Sequence, residues 1–120
     1  MERLRRKGDI QRVFREGRRF LLPWAVIHAR QRHPDEHIPA VTRVTAIAGR
    51  RFPTAVARNR AKRILREACR AALSHIQTPW DVLLVARPEV LGVPYSERVP
   101  AIADALRQAE VIPERVAAPL

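Results

Sequence analysis

A single cysteine, Cys69, stands in 120 residues, which excludes an intramolecular disulfide. Only four glycines are present, and none form the glycine-rich run that cradles a nucleotide phosphate. Aromatic residues make up 5% of the chain, so each is both a core candidate and a scarce stacking platform. No apolar run approaches the roughly 20 residues of a membrane span, and the basic start is not followed by the apolar stretch of a signal peptide. The expected compartment is therefore the cytoplasm, with no membrane partner. Acids are the other shortage, at 12 against 23 lysines and arginines, for a net charge of +11. Repeats and low-complexity tracts are absent.

Such a charge balance points to polyanions, nucleic acid before anionic membrane. Its distribution sharpens the point. Residues 1 to 19 carry eight cations against three acids, and residues 49 to 70 carry eight against one, whereas residues 71 to 120 carry four against six. All cations but Lys7 and Lys62 are arginine, whose planar fork meets phosphate oxygens bidentately.

The run from Arg58 to Arg70 joins this charge to helical apolar spacing. At about 100° per residue, Ala61, Ile64, Leu65, Ala68, Ala72 and Leu73 share one side while Lys62, Arg63, Arg66 and Arg70 crowd the other. Arg58, Lys62, Arg66 and Arg70 follow at i,i+4, where like charges cost a few tenths of a kcal/mol per pair. Arg58 and Arg60 also sit near the helix start, the end that disfavours cations. Glu67, within reach of Arg63 and Arg70, is the one local offset. A solvated surface helix normally mixes acids with bases; this one is built to meet an anion.

Around it the elements follow by pattern. Asp9 is a candidate cap for a short helix with Ile10, Val13, Phe14 and Gly17 on one side and Arg12, Arg15, Arg18 and Arg19 supplying its polar side and end. A strand is expected after Pro23, a loop over 32–39, and a second strand over 40–48, rich in β-branched residues. Thr54 is a candidate N-cap for the long helix, which runs to about Ile76 and stops at Thr78-Pro79. Asp81 to Arg87, with the apolar run Val82 to Ala86, reads as a buried strand, 88–95 as a loop, and Val99, Ile102, Ala103, Leu106 and Ala109 as a closing helix that tolerates Pro100 only in its first turn. The fold class is α+β: a small mixed β-sheet packed with helices, in the order helix, strands, helix, strand, helix. Residues 1–110 form one domain, and 111–120 are a loose tail. Cys69, beside the apolar stripe, is a packing residue. His33 and His37 have Pro34 between them and read as loop, and Asp9, Asp35, Glu36, Glu67 and Asp81 form no metal-ligand pattern, so no metal site and no protein-borne catalytic group is expected.

The stretch Ala55-Val56-Ala57-Arg58-Asn59-Arg60-Ala61-Lys62-Arg63-Ile64-Leu65-Arg66-Glu67 resembles the signature of the protein subunit of bacterial ribonuclease P. Asp9 to Gly17 is similar to that family's first helix, and Asp81 to Arg87 to its later strand, so the resemblance spans roughly residues 4 to 110. It implies a left-handed crossover around the long basic helix. It also implies a heterodimeric complex with a catalytic ribonuclease P RNA that removes the 5′ leader of precursor tRNA using Mg2+ held by the RNA, not by the protein. By the same resemblance, Arg58, Asn59, Arg60, Lys62, Arg63 and Arg66 face the RNA subunit, and Arg50 and Arg51 match a basic pair that joins them. Phe14, His28 and Arg12 fall in the leader-binding cleft. Ile10 and His28 replace rings usual in the family, Gly49 replaces a serine and Pro53 a glycine. Two other readings fit the composition: a structural RNA-binding protein such as a ribosomal protein, and a DNA-binding regulator, the latter lacking a helix to pair with the basic one.

Overall fold

The computed structural model describes residues 2–33, 41–73 and 79–111. Its elements are β1 (Glu2–Arg3), α1 (Lys7–Glu16), β2 (Arg18–Leu22), β3 (Ala25–Gln31), β4 (Arg43–Ala48), α2 (Ala55–Ala72), β5 (Trp80–Ala86), a 3-10 turn (Pro88–Gly92) and α3 (Tyr95–Gln108). The five strands form one mixed sheet in the order β1-β4-β5-β3-β2. β4 runs parallel to both β1 and β5, while β3 is antiparallel to β5 and β2. The parallel neighbours β4 and β5 are joined through α2; the left hand of that crossover is carried by the resemblance alone.

The pleat sorts side chains onto two faces. Ala25, Ile27 and Ala29 of β3, Val44 and Ala46 of β4, and Val82 and Leu84 of β5 face α2 and α3. There they meet Ala61, Ile64, Leu65, Ala68 and Cys69 of α2 and Ile102 and Leu106 of α3 in the main core. The opposite face holds a smaller cluster of Leu4, Val13 and Leu83, edged by Ile10, Ile47 and Val85, under α1. Burying a side chain such as Leu65 or Ile102 contributes about 1.5–3 kcal/mol, so the main core dominates stability. Cys69 is fully buried there, and burial pushes its thiol up to about 12.

Several expectations are corrected. Helix α1 begins at Lys7 with Arg6 as its N-cap and no side-chain cap. Asp9 lies inside the first turn, where its carboxylate suits the dipole and reaches Arg43 instead. Arg18 and Arg19 belong not to the helix end but to β2, the first arm of a hairpin whose second arm is the strand expected after Pro23. Four strands, not two, precede α2, because β1 pairs with β4 far along the chain. The basic helix starts at the expected Thr54 but its regular turns end at Ala72; Ile76 and Thr78 lie outside the described residues, as do the 34–40 segment with His37 and the tail after Val111. The loop expected over 88–95 contains the 3-10 turn and the first residue of α3. Pro100 stands at the sixth position of α3, not in the first turn. It is exposed, and because proline has no N–H, the Ser96 carbonyl four residues back receives no bond from it.

Where α1 ends, Gly17 donates its N–H to the Val13 carbonyl at 2.8 Å. A Cβ on Gly17 would come within 2.5 Å of that oxygen and 3.0 Å of the Ala29 carbonyl of β3. The helix is thus seated backbone to backbone on the sheet.

Candidate nucleic-acid interface

Thr54 fixes where α2 begins. Its backbone is extended and its Oγ1 accepts the Ala57 N–H at 3.0 Å, satisfying one of the donors a helix start leaves open. With the start fixed and Ala61, Ile64, Leu65, Ala68 and Cys69 held in the core, the rotation of the helix is set. Asn59, Arg60, Arg63 and Arg70 are exposed, and Arg58, Lys62 and Arg66 are half-exposed along their flanks. Among the described residues no carboxylate forms an ion pair with any of these cations. Glu67, the expected offset to Arg63 and Arg70, makes no such pair; it borders a groove against α3 beside Tyr95 and Arg98. Close-set cations without counter-charge repel one another, and an incoming polyanion relieves that repulsion.

Arg50 and Arg51 are exposed just before α2, where they border an open groove of about 600 Å³ together with Arg87 and an apolar floor of Phe52 and Val85. Arg87 was not singled out by sequence; its neighbourhood exists only because β4 and β5 end side by side.

On the other face of the sheet, Phe14 of α1 projects at 44% exposure and meets His28 of β3 edge to face, with centroids 4.8 Å apart and an interplanar angle of 65°. Such a pair forms a platform with one face open to solvent. Burial, aided by Arg19, lowers the pKa of His28, so the ring is neutral at physiological pH. Arg12 also lies on α1, but its Nε donates to Glu16 Oε2 at 2.6 Å. That bond holds the Glu16 carboxyl below the usual range. Trp24 is buried in the main core and Phe20 packs against its edge, with Arg18 stacked 5.4 Å from the Phe20 ring centre.

Beneath α1 lies a charge network that sequence reading missed. Asp81 of β5 is buried and sits in register between Arg30 of β3 and Arg43 of β4. Arg43 grips it through Nε at 2.8 Å and Nη2 at 2.7 Å, Arg32 through Nη1 at 2.7 Å, and Arg30 approaches to 3.7 Å. The hydrogen bond to Asp81 raises the pKa of Arg43 above even its ordinary value. The network ends on α1 itself: Arg43 reaches Asp9 and Arg30 reaches Glu16, each at 3.3 Å. One signal was available: an aspartate beside an apolar strand run is costly to bury without partners, and so implies cations nearby. Which ones could not be read, since they lie 38 to 51 residues away in sequence.

The family model described as Ribonuclease P matches residues 1–110. The chain is 36% identical over 115 residues to the ribonuclease P protein component of Chloroflexus aurantiacus, covering 92% of this chain and 79% of that protein. It is 39% identical over 108 residues to the corresponding protein of Chloroflexus aggregans, covering 89% and 76%. Among solved structures, the ribonuclease P protein of Staphylococcus aureus has the same fold, with a TM-score of 0.75 at 22% identity over 92% of this chain and 97% of that one. Taken with the mixed five-stranded sheet and the basic helix between its parallel strands, these matches show that the chain belongs to the ribonuclease P protein family.

Proposed function

We propose that this chain is the RNA-binding subunit of a ribonuclease P, forming a heterodimeric complex with its catalytic RNA in the cytoplasm and assisting removal of the 5′ leader from precursor tRNA. Residues 1–110 act as one RNA-binding domain. Arg58, Asn59, Arg60, Lys62, Arg63 and Arg66 lie against the RNA subunit, with Arg50 and Arg51 extending the contact. The leader lies along the groove beside α1, where Phe14 and His28 offer a stacking surface and Arg12 a nearby cation. A cationic groove with a few rings is the general way single-stranded RNA is held without sequence preference. Hydrolysis, with its Mg2+, belongs to the RNA. Among the described residues no group of three or more His, Cys, Asp or Glu side chains is placed to hold a metal ion.

One observation carries this reading: the outer face of α2 is cationic and lacks carboxylate partners among the described residues, while its inner face is locked in the core. No helix among the described residues is long and apolar enough to cross a membrane. The test is reconstitution with a ribonuclease P RNA and a precursor tRNA. The Arg58→Ala, Arg60→Ala, Arg63→Ala triple variant is expected to fold normally, to lose leader removal at low magnesium, and to bind the RNA with a salt slope smaller by about two to three, at roughly 0.7–0.9 per phosphate contact. Unchanged processing and an unchanged slope would overturn the proposal.

A further inference from the structure

The two basic segments of the sequence meet at one place that no alignment of local motifs would find. β1 lies parallel to the edge of β4, with Arg3 opposite Val44. It is held there by backbone bonds from Glu2 to Thr42 and from Leu4 to Val44, each 2.9 Å, and by the buried Leu4 side chain. Because Val44 faces α2, its register partner Arg3 faces α2 as well. The result is a cavity of about 280 Å³ lined by Glu2, Arg3, Val44, Arg66 and Arg70.

We infer that this cavity is a seat for a phosphodiester of the partner RNA, held by Arg3, Arg66 and Arg70. The inference rests on the proposed RNA-binding role and extends it past the Arg58–Arg66 stretch, around the far half of α2 to the start of the chain. Three arginines from two separate elements line one hollow, and none of the three pairs with a carboxylate among the described residues. Planar forks from different directions suit a tetrahedral anion, which accepts several charge-assisted hydrogen bonds at once. Val44 gives the hollow an apolar floor that water solvates poorly, which strengthens those bonds. Glu2 also borders the hollow, along the backbone of β1. The volume, near the lower end of small-ligand sites, accommodates one backbone unit rather than a whole base pair.

A free phosphate ion shares this chemistry, so the test has two arms, both on the full chain. In the first, binding to ribonuclease P RNA at fixed salt is compared for wild type, Arg3→Ala, Arg70→Ala, Arg70→Lys, Arg60→Ala and the control Arg107→Ala, whose side chain is instead tied to Asp104 on α3. Arg3→Ala and Arg70→Ala are expected to weaken binding about ten-fold each, and by less than the product when combined, because they share one phosphate; loss of a charged hydrogen bond is of that order. Arg70→Lys should recover only part, and Arg107→Ala should stay within about two-fold, as a rim charge far from the contact does. In the second arm, inorganic phosphate is titrated at constant ionic strength while the side-chain N–H resonances of Arg3 and Arg70 are followed; both should move together. Wild-type RNA affinity in Arg3→Ala and Arg70→Ala, alongside a loss in Arg60→Ala, would overturn the pocket and leave the role of α2 intact. Loss in Arg3→Ala with no loss in Arg60→Ala would strike the role of α2 and leave the pocket standing. Resonances that respond to phosphate without any change in RNA affinity would reassign the hollow to a free anion and so overturn the RNA assignment.

Discussion

Arginine does opposite things on the two faces of this sheet. Under α1, Arg30, Arg32 and Arg43 are buried or nearly so around the single carboxylate of Asp81. On α2, five guanidinium groups, those of Arg58, Arg60, Arg63, Arg66 and Arg70, have no carboxylate among the described residues to answer them. The residue type is the same, so the difference lies in what the fold sets beside it. Paired inside, arginine fastens the first helix to the sheet; unpaired outside, it leaves an electrostatic debt that only another molecule can settle. Buried charges are fixed by geometry, and exposed ones are available for binding.

The sharpest way to break that contrast is to remove the buried anion. Asp81→Asn keeps the shape but leaves three guanidinium groups around a neutral amide, and removing one member of a buried ionic set costs about 3–5 kcal/mol. Urea denaturation should show a loss of that order, with α1 loosening first; a loss below about 1 kcal/mol would mean that the network contributes little to the fold.

On the other side of the comparison, Arg60→Ala with Arg63→Ala should leave stability within about 0.5 kcal/mol of wild type or slightly above it, because surface changes are mild and like-charge repulsion is relieved. The same melts read this directly. A loss of several kcal/mol would show that the outer arginines are structural after all.

The smallest effect is a pH dependence at His28. Its pKa is lowered in the fold by burial and by Arg19, so the unfolded chain takes up a proton first as pH falls below the ordinary histidine value of about 6.5. Its contribution is therefore complete above that pH and is lost as pH drops through the lowered folded value. Comparing wild type with His28→Gln from pH 7.5 down to pH 5 isolates it: wild type should lose slightly more stability on acidification, and parallel curves would remove the assignment.

What could be read from residue order tracks how local the cause was. The long helix, its Thr54 cap and the Val82–Ala86 strand follow from spacing within a few residues, and all three stand in the structure. Arg18 and Arg19 were read with the helix because they follow it, whereas their pairing with Ala29 and His28 in β2 is a tertiary matter. A two-residue strand such as β1 has no pattern of its own; only β4 makes it one. The same limit governs the sites. The basic face of α2 was legible in a single helical projection, while the ring of arginines about Asp81 and the meeting of Arg3 with Arg66 and Arg70 depend on contacts between distant segments.

The seat of Gly17 against the Val13 and Ala29 carbonyls sets how much substitution the chain tolerates. Gly8, Gly49 and Gly92 have open space where a Cβ would go, so alanine is sterically free there, but any side chain at position 17 must pry the helix away from the strand beneath it. The Phe14–His28 platform spans that same junction, so a mutational library should find position 17 the least forgiving of the four glycines, and its ring pair displaced with it.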